Sequence, residues 1–418
     1  MADVGKRTVV AGAVGNMLEW YDFAVFGFFA PAIGTQFFPS DDRIAGLINA
    51  FGVFAIGYLA RPVGGVLFGR LGDRIGRKRA LQISIIAMAI PTTLIAVLPT
   101  HAQVGVWAAV FLVLLRLLQG LSVGGEFIGS VCYLVEVAPP GKRGLFGSYA
   151  VFSTVGGMLA GSAVAAILHA VMSEAEIAQW GWRLPFLGGL VLGVAGWALR
   201  RHLVESPAFA NIVARGMAVP HPVLRAIRQM PLEIFQVGMM VILLAVGIYT
   251  LFIWMPTYLT HIVEPPVAGA LLINTLAMIL LIALMPLAGS LSDRIGYKPV
   301  LAAVMIATAV LVYPLIRWID TGALVAVIVA QVAFAVINGF IQGPTPVAMA
   351  AQFPAEIRYS AIGIGYNVTL AIFGGTAPLV ATWLIRETGD LAAPAWYIAA
   401  AAAVSCAATL SLKGRFDR

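Results

Sequence analysis

Glu19 and Asp22 stand inside an apolar run, Thr8 to Phe37, that is long enough to cross a lipid bilayer. A helix that begins near Thr8 and rises about 1.5 Å per residue places the two carboxylates about 16 and about 21 Å along its axis, near the middle of a hydrocarbon core roughly 30 Å thick. Ionisable groups at that depth are costly to insert, and they usually face a protein interior or a water-filled cavity. The two acids therefore predict a polar site within the membrane.

Arg116 provides an opposite charge at a matching depth. It lies about 18 Å along a second apolar segment if that segment begins near Val104. One interpretation is a static ion pair that orders the first half of the chain. The alternative is a proton switch, in which one buried carboxylate is protonated and Arg116 disfavours that protonation until substrate or a conformational change separates the charges. We predict Glu19 or Asp22 as the proton-coupling site, with Arg116 as its modulator.

The chain that must position these residues has the composition of a helical membrane protein. Of its 418 residues 61% are hydrophobic and 11% are charged, and the mean hydropathy is +0.94. Long apolar segments, rather than alternating ten-residue ones, favour helices over a membrane β-barrel. The predicted fold class is an all-α membrane protein with twelve transmembrane helices, at residues 8–37, 44–68, 80–99, 104–137, 145–172, 182–199, 231–260, 267–290, 300–318, 322–353, 359–386 and 391–412.

The net charge of +7 follows from the predicted topology. With the N-terminus inside, 20 of the 26 Lys and Arg residues fall on the cytoplasmic side, four fall on the other side and two lie within spans. This is the asymmetry expected of a protein inserted in an inner membrane. It predicts that both chain ends are cytoplasmic, and it explains the basic composition without a nucleic acid partner.

An internal repeat divides the chain. The segment Gly69–Leu81 recurs 220 residues later as Gly289–Leu301, with eight of thirteen positions identical, and both copies join the second and third spans of a half. Duplicated halves of this kind enclose a central cavity. We predict two pseudo-symmetric six-helix halves, residues 1–199 and 231–418, joined by a central cytoplasmic loop at 200–230.

The repeated segment resembles the signature loop of the major facilitator superfamily, and the resemblance covers essentially the whole chain. Several motifs are similar, more narrowly, to the metabolite:proton symporter family: Gly15-Asn16 with Glu19-Trp20-Tyr21-Asp22-Phe23, Arg61-Pro62, Arg116 to Glu126, Trp180 to Phe186 and Ile357-Arg358-Tyr359-Ser360. Members of that family carry citrate, α-ketoglutarate, other carboxylates, shikimate, and proline or betaine. The resemblance implies transport by alternating access across a bacterial inner membrane.

Arg61 and Arg116 favour an anionic substrate, because a buried guanidinium offers a paired fork of donors to a carboxylate. Our leading prediction is proton-coupled uptake of a small organic acid, such as a di- or tricarboxylate. The alternatives are symport of a zwitterionic osmolyte, proline or betaine, and proton-coupled export. The predicted substrate-binding residues are Asn16, Tyr21, Arg61, Arg116, Gln119, Glu126, Asn338, Gln342, Tyr366 and Asn367.

The charged loops predict a latch at the cytoplasmic face. In this hypothesis Asp73 or Glu136 pairs with the arginines when that side is shut and parts from them when it opens. The alternative is that the basic residues only set the topology. The candidate gating residues are Asp73, Arg74, Arg77, Glu136, Arg143, Asp293, Arg294 and Arg358.

The sequence contains neither a Gly-x-x-x-x-Gly-Lys phosphate loop nor a His-Glu-x-x-His zinc motif. An ATP-driven pump, a metalloprotease or another membrane enzyme is therefore not predicted, and neither is a metal or a cofactor. The predicted partners are the small-molecule substrate, protons and the lipid bilayer, and the predicted assembly is a monomer.

Overall fold

The computed structural model describes residues 16–17, 19–40, 42–67, 77–122, 124–200 and 222–413, and within those ranges the chain is helical without any β-strand. Among these residues, nine helices are long and apolar enough to cross a membrane. Two shorter apolar helices and the helix that carries Glu19 complete the twelve predicted spans. A helix satisfies its own backbone hydrogen bonds, which is the condition for a chain in hydrocarbon. The predicted fold class is confirmed.

We number the twelve helices α1 to α12 in chain order. Except at the start of α1, where residues 8–15 lie outside the described part of the structure, the helix ends agree with the predicted ones to within five residues. The bounds are 19–28 with Ala30–Phe37 (α1), Ile44–Leu67 (α2), Arg77–Val97 (α3), Trp107–Glu136 (α4), Arg143–Val171 (α5), Arg183–Arg200 (α6), Pro231–His261 (α7), Ala270–Ile295 (α8), Tyr297–Ile319 (α9), Leu324–Ala350 (α10), Ile357–Thr388 (α11) and Ala393–Ser411 (α12).

Helices α1 and α7 form the centre of the bundle. Nearly every described residue of α1 from Glu19 to Ala30 is buried, and 94% of the apolar window of α7 is buried. A helix that is apolar on all sides belongs inside a bundle, away from lipid and water. The two carboxylates of α1 are thus enclosed by protein, as their depth in the sequence predicts.

Within the described residues two of the twelve helices contain π turns, at Tyr249–Trp254 in α7 and Leu370–Gly374 in α11, and a further π turn, Ile177–Gly181, lies just before α6. A π turn inserts a residue into the helical ladder and is frequent at functional sites. Helix α4 is also interrupted, by a bend that separates Trp107–Ser122 from Glu126–Val137. Helices α4 and α7 contact α1, and α11 packs against α2.

The first six helices meet the last six mainly along α5 with α8 and along α2 with α11. The α5–α8 contact is close because glycines face each other: a Cβ atom added to Gly289 would lie 2.6 Å from the carbonyl oxygen of Gly144. Small residues permit such an approach of two backbones. The predicted central loop lies outside the described residues from 201 to 221, and a short helix, Pro222–Gln229, precedes α7. The division into two halves stays a prediction.

Candidate functional site

Glu19 forms a buried ion pair with Arg61, which α2 brings to the centre of the bundle. The Nη2 atom of Arg61 donates to Oε1 of Glu19 at 2.9 Å, and the two residues are 1% and 6% exposed. The Nε and Nη1 atoms of Arg61 are buried and have no hydrogen-bond partner among the residues described. The ion pair therefore uses only one of the three nitrogens of the guanidinium.

Aromatic rings surround the Arg61 guanidinium. Its Cζ atom lies 5.1 Å from the centroid of Trp20, 5.2 Å from Tyr58 and 5.6 Å from Phe23. Cations are attracted to ring faces at such distances by the quadrupole of the ring. Trp20 and Phe23 each follow one of the two carboxylates directly in sequence. That pattern of acid then aromatic was available in the sequence, but it did not distinguish a cation site from ordinary packing.

Asp22 forms a second, looser pair with Arg116. The Nη1 atom of Arg116 lies 3.8 Å from Oδ2 of Asp22, and the amide of Gln119 connects them: Nε2 donates to Asp22 at 2.7 Å, and Oε1 accepts from Arg116 at 2.9 Å. Gln119 also donates to the Thr92 hydroxyl at 2.8 Å. No motif in the sequence indicates Thr92, which α3 contributes. Asp22, Arg116 and Gln119 are thus linked in one hydrogen-bonded group.

Tyr249 joins this region from the π turn of α7. Its hydroxyl is hydrogen-bonded to the hydroxyl of Tyr58 at 2.7 Å, and its ring stacks against Trp20 with centroids 6.3 Å apart and an interplanar angle of 26°. A Cβ atom added to Gly375 in α11 would lie 2.3 Å from Cβ of Tyr58. The site is therefore closed by α7 and α11 against α1 and α2.

Several predicted substrate residues have structural partners away from the two ion pairs. Asn16 donates to the hydroxyls of Ser130 and Ser153 at 3.0 and 3.3 Å. The Tyr21 hydroxyl donates to the carbonyl of Pro185 at 3.2 Å. Both interactions lie within the first six helices, so Asn16 and Tyr21 tie α1 to α4, α5 and α6 rather than join Arg61.

The predicted substrate residues of the last six helices lie on α10 and α11. Asn338 is buried and donates to the carbonyl of Phe334 in its own helix, and Gln342 is buried one turn later. Tyr366 packs its ring 4.8 Å from that of Phe127, and Asn367 donates to the carbonyl of Gly124 at 2.8 Å. Glu126 begins the second segment of α4, but its side chain lies outside the described part of the structure.

Gating candidates meet at the end of the bundle that holds the α4–α5 loop, 138–142, and the α10–α11 loop, 351–354, which we call the basic end. Arg358 is hydrogen-bonded to Glu136 across these two loops. The carboxylate of Asp293 accepts hydrogen bonds from the backbone N–H groups of Gly144 and Leu145 at 2.7 and 2.9 Å. Asp293 thus caps the N-terminus of α5 from the other half of the chain, where the helix dipole favours a negative charge.

The other gating candidates are placed less centrally. Asp73 and Arg74 lie outside the described residues, and so does the side chain of Arg77, at which α3 begins. Arg143 is half-buried at the start of α5, and Arg294 is exposed in the last turn of α8. In the described structure Glu136 therefore pairs with Arg358 of the second half.

Contacts between the first and last six helices also occur away from the basic end. Arg386 of α11 pairs with Asp42 at the start of α2 at 3.2 Å. Ser162 of α5 is hydrogen-bonded to Thr275 of α8 at 2.8 Å. Because polar contacts join the two sets of helices at both ends, this conformation encloses the central ion pairs.

Comparison with known proteins adds independent evidence. Residues 8–220 match the family model described as "Sugar (and other) transporter". A putative proline/betaine transporter of Staphylococcus aureus is 36% identical over 96% of this chain and 86% of its own length. The glycine betaine/proline/ectoine/pipecolic acid transporter OusA of Dickeya dadantii is 36% identical over 98% and 83%. The proline/betaine transporter of Salmonella typhimurium is 34% identical over 99% and 84%.

Solved structures support the same fold. The proton:xylose symporter XylE superposes with a TM-score of 0.77 at 18% identity, over 97% of this chain and 95% of that one. A D-xylose–proton symporter gives a TM-score of 0.73 at 20% identity, over 97% of each chain. Sequence, helix arrangement and relatives agree on a multi-pass membrane transporter rather than an enzyme. The chain belongs to the major facilitator superfamily, and within it to the metabolite:proton symporter family.

Proposed function

We propose that this protein is a proton-coupled symporter that imports a small zwitterionic osmolyte of the proline or betaine type. The observation that carries the proposal is the charge balance of the site. Two buried acids, Glu19 and Asp22, neutralise two buried arginines, Arg61 and Arg116. A zwitterion adds no net charge to this balanced set, so neither the substrate nor the protein is left with an unpaired buried charge.

The same balance argues against the leading expectation of a di- or tricarboxylate. That expectation relied on the paired donors of Arg61 and Arg116 to bind an anion, but each guanidinium already has a carboxylate within 4 Å. A substrate with two or three negative charges would bring unpaired charge into the bundle, which is costly in a low-dielectric interior. The relatives also favour the zwitterion, since their names mention proline, betaine, ectoine and pipecolic acid.

We assign the proton to Asp22. Protonation of Glu19 would break its direct contact with Arg61. Asp22 instead contacts Arg116 at 3.8 Å and is held by Gln119, whose amide offers both a donor and an acceptor. A carboxylate and a carboxylic acid can therefore both be accommodated beside Gln119. Arg116 modulates the equilibrium between the two forms.

Uptake into proteoliposomes tests the proposal. We expect labelled proline or betaine to accumulate when the outside is acidic and not when the gradient is reversed, whereas citrate and α-ketoglutarate do not accumulate under either gradient. Accumulation of a carboxylate alone would contradict the zwitterion proposal. Expulsion of preloaded substrate as the physiological direction, with no uptake, would favour the alternative of proton-coupled export.

A further inference from the structure

Three buried donor nitrogens around Arg61 have no acceptor among the described residues. Nε and Nη1 of Arg61 and Nε1 of Trp20 each lack a hydrogen-bond partner within the described ranges. A buried donor without an acceptor costs free energy, so a native structure rarely leaves several together. Arg61 and Trp20 are in contact, with the guanidinium carbon 5.1 Å from the ring centroid. A ligand carboxylate is a group that would satisfy these donors.

Ring faces from the first and the last six helices meet beside those donors. Trp20 of α1 and Tyr249 of α7 are nearly parallel, and Tyr58 of α2 is hydrogen-bonded to Tyr249. Aromatic faces attract quaternary ammonium groups, which have no N–H and cannot donate hydrogen bonds. At 6.3 Å between centroids the rings of Trp20 and Tyr249 leave no room for such a group between them. The two rings must therefore separate before an ammonium group can lie between them. A movement of α1 away from α7 would separate them.

We infer that Arg61 and the three rings of Trp20, Tyr58 and Tyr249 bind the two ends of the zwitterion. The substrate carboxylate binds the free nitrogens of Arg61, and the positive nitrogen lies against the rings. This inference rests on the proposed function and names the site at which it operates. In this conformation the Arg61 guanidinium lies over the rings of Trp20 and Tyr58, so the substrate cation would replace one cation–π contact with another.

Glu19 gives the site a second way to hold a cation. The secondary ammonium of proline has two N–H groups and can donate to Glu19, whereas the quaternary nitrogen of betaine has none. Proline should therefore depend more on the acid, and betaine more on the rings. This difference separates a binding role of these residues from a merely structural one, because a structural defect would affect both substrates alike.

The experiment measures counterflow of labelled proline and betaine by the full-length protein in proteoliposomes, which requires binding but no proton gradient. For Trp20→Leu and Tyr249→Leu we expect the apparent KM for betaine to rise about tenfold or more and that for proline by less than about threefold. Tyr249→Phe keeps the ring, so the apparent KM for betaine should stay close to that of the wild type. Glu19→Gln should have the opposite preference: the apparent KM for proline should rise more than the apparent KM for betaine.

Trp107→Leu removes an exposed tryptophan of α4 and should leave both KM values unchanged. A test on the unmodified protein avoids any folding defect: glycine, sarcosine, dimethylglycine and betaine should inhibit proline counterflow more strongly with each added methyl group. Equal losses of both substrates in the leucine variants, or inhibition that does not increase with methylation, would overturn the ring assignment. Failure of the wild type to transport either osmolyte would instead overturn the proposed function.

Discussion

The carboxylate of Asp22 and the guanidinium of Arg116 stand 3.8 Å apart, and the side-chain amide of Gln119 is hydrogen-bonded to both. The ion pair is therefore indirect, in contrast with the 2.9 Å contact between Glu19 and Arg61 one turn earlier on α1. An amide that both donates and accepts can change partners when a carboxylate gains a proton. Two acids three residues apart on one helix thus stand in chemically different environments.

Asp22→Asn should uncouple transport from protons. The asparagine keeps the size of the side chain and can still accept from Gln119, but it cannot take up or release a proton. We expect pH-driven accumulation of substrate to fall at least tenfold, while counterflow, which needs no net proton movement, persists within about threefold. Glu387→Gln, an exposed acid of α11, serves as the control. Full accumulation by Asp22→Asn would show that the proton site is elsewhere.

Glu136→Gln should favour opening of the basic end. The variant removes the charge that pairs with Arg358. Because the Glu136 side chain is 45% exposed, solvent weakens the pair, and we expect only about a threefold shift in the open-to-closed ratio. Spin labels placed across the two loops of this end would report the shift as longer distances. Arg225→Gln, exposed on the short helix before α7, should leave the distances unchanged.

Gly157→Ala should destabilise the fold, whereas Gly156→Ala should not. A Cβ atom on Gly157 would lie 2.2 Å from the carbonyl oxygen of Met17 in the helix alongside, and one on Gly156 would meet nothing within 4 Å. Overpacking against backbone typically costs about 1–3 kcal/mol. Thermal unfolding of the two purified variants in detergent measures the difference. Equal midpoints would mean that α1 and α5 are not packed as closely as described.

Asp320 should make stability depend on pH. It follows α9 directly, and burial raises its pKa above the ordinary value, although hydrogen bonding to Tyr258 and the charge of Arg317 act in the opposite direction. Because the folded protein then holds a proton that the unfolded chain releases, this contribution to stability is present at low pH. It is lost as the pH rises from the ordinary Asp pKa through the raised one.

The measurement is the unfolding midpoint of the wild type minus that of Asp320→Asn at a series of pH values. We expect this difference to decrease as the pH rises through the stated interval. Asp390, which also pairs with Arg317, is retained in both proteins. A difference that stays constant or increases with pH would contradict the assignment.

The sequence predicted the helices and the depth of the charges well, because both depend on distance along the chain. Apolar length fixes where a span begins and ends, and a rise of about 1.5 Å per residue fixes the level of Glu19, Asp22 and Arg116. The partners of each charge depend on the rotation of the helices about their axes. Arg61, for instance, is directed to Glu19 in the centre of the bundle, a pairing that its position along α2 does not indicate.

Such rotations are set by contacts that one sequence does not reveal. A Cβ atom on Gly120 would lie 2.0 Å from the carbonyl oxygen of Gly57, so α2 and α4 must approach closely with these faces together. That approach carries Arg61 and Arg116 inward on neighbouring helices. The pairing of Tyr58 with Tyr249 depends likewise on the π turn of α7, whose extra residue no hydrophobic pattern indicates.

The contact between Asp293 and α5 joins a side chain on one helix to the main chain of another. The carboxylate oxygens of Asp293 accept hydrogen bonds from the main-chain N–H groups of residues 144 and 145. Nearly any side chain at residue 145 therefore leaves both donors in place. Only proline there would remove a donor, since proline lacks the N–H. A side-chain change at residue 145 therefore leaves this contact in place, whereas a change at Asp293 removes it. Gly144 is constrained as well, because a Cβ atom there would lie 2.4 Å from the carbonyl oxygen of Gly289 and 3.0 Å from Oδ1 of Asp293. The contact thus depends on two of its three residues.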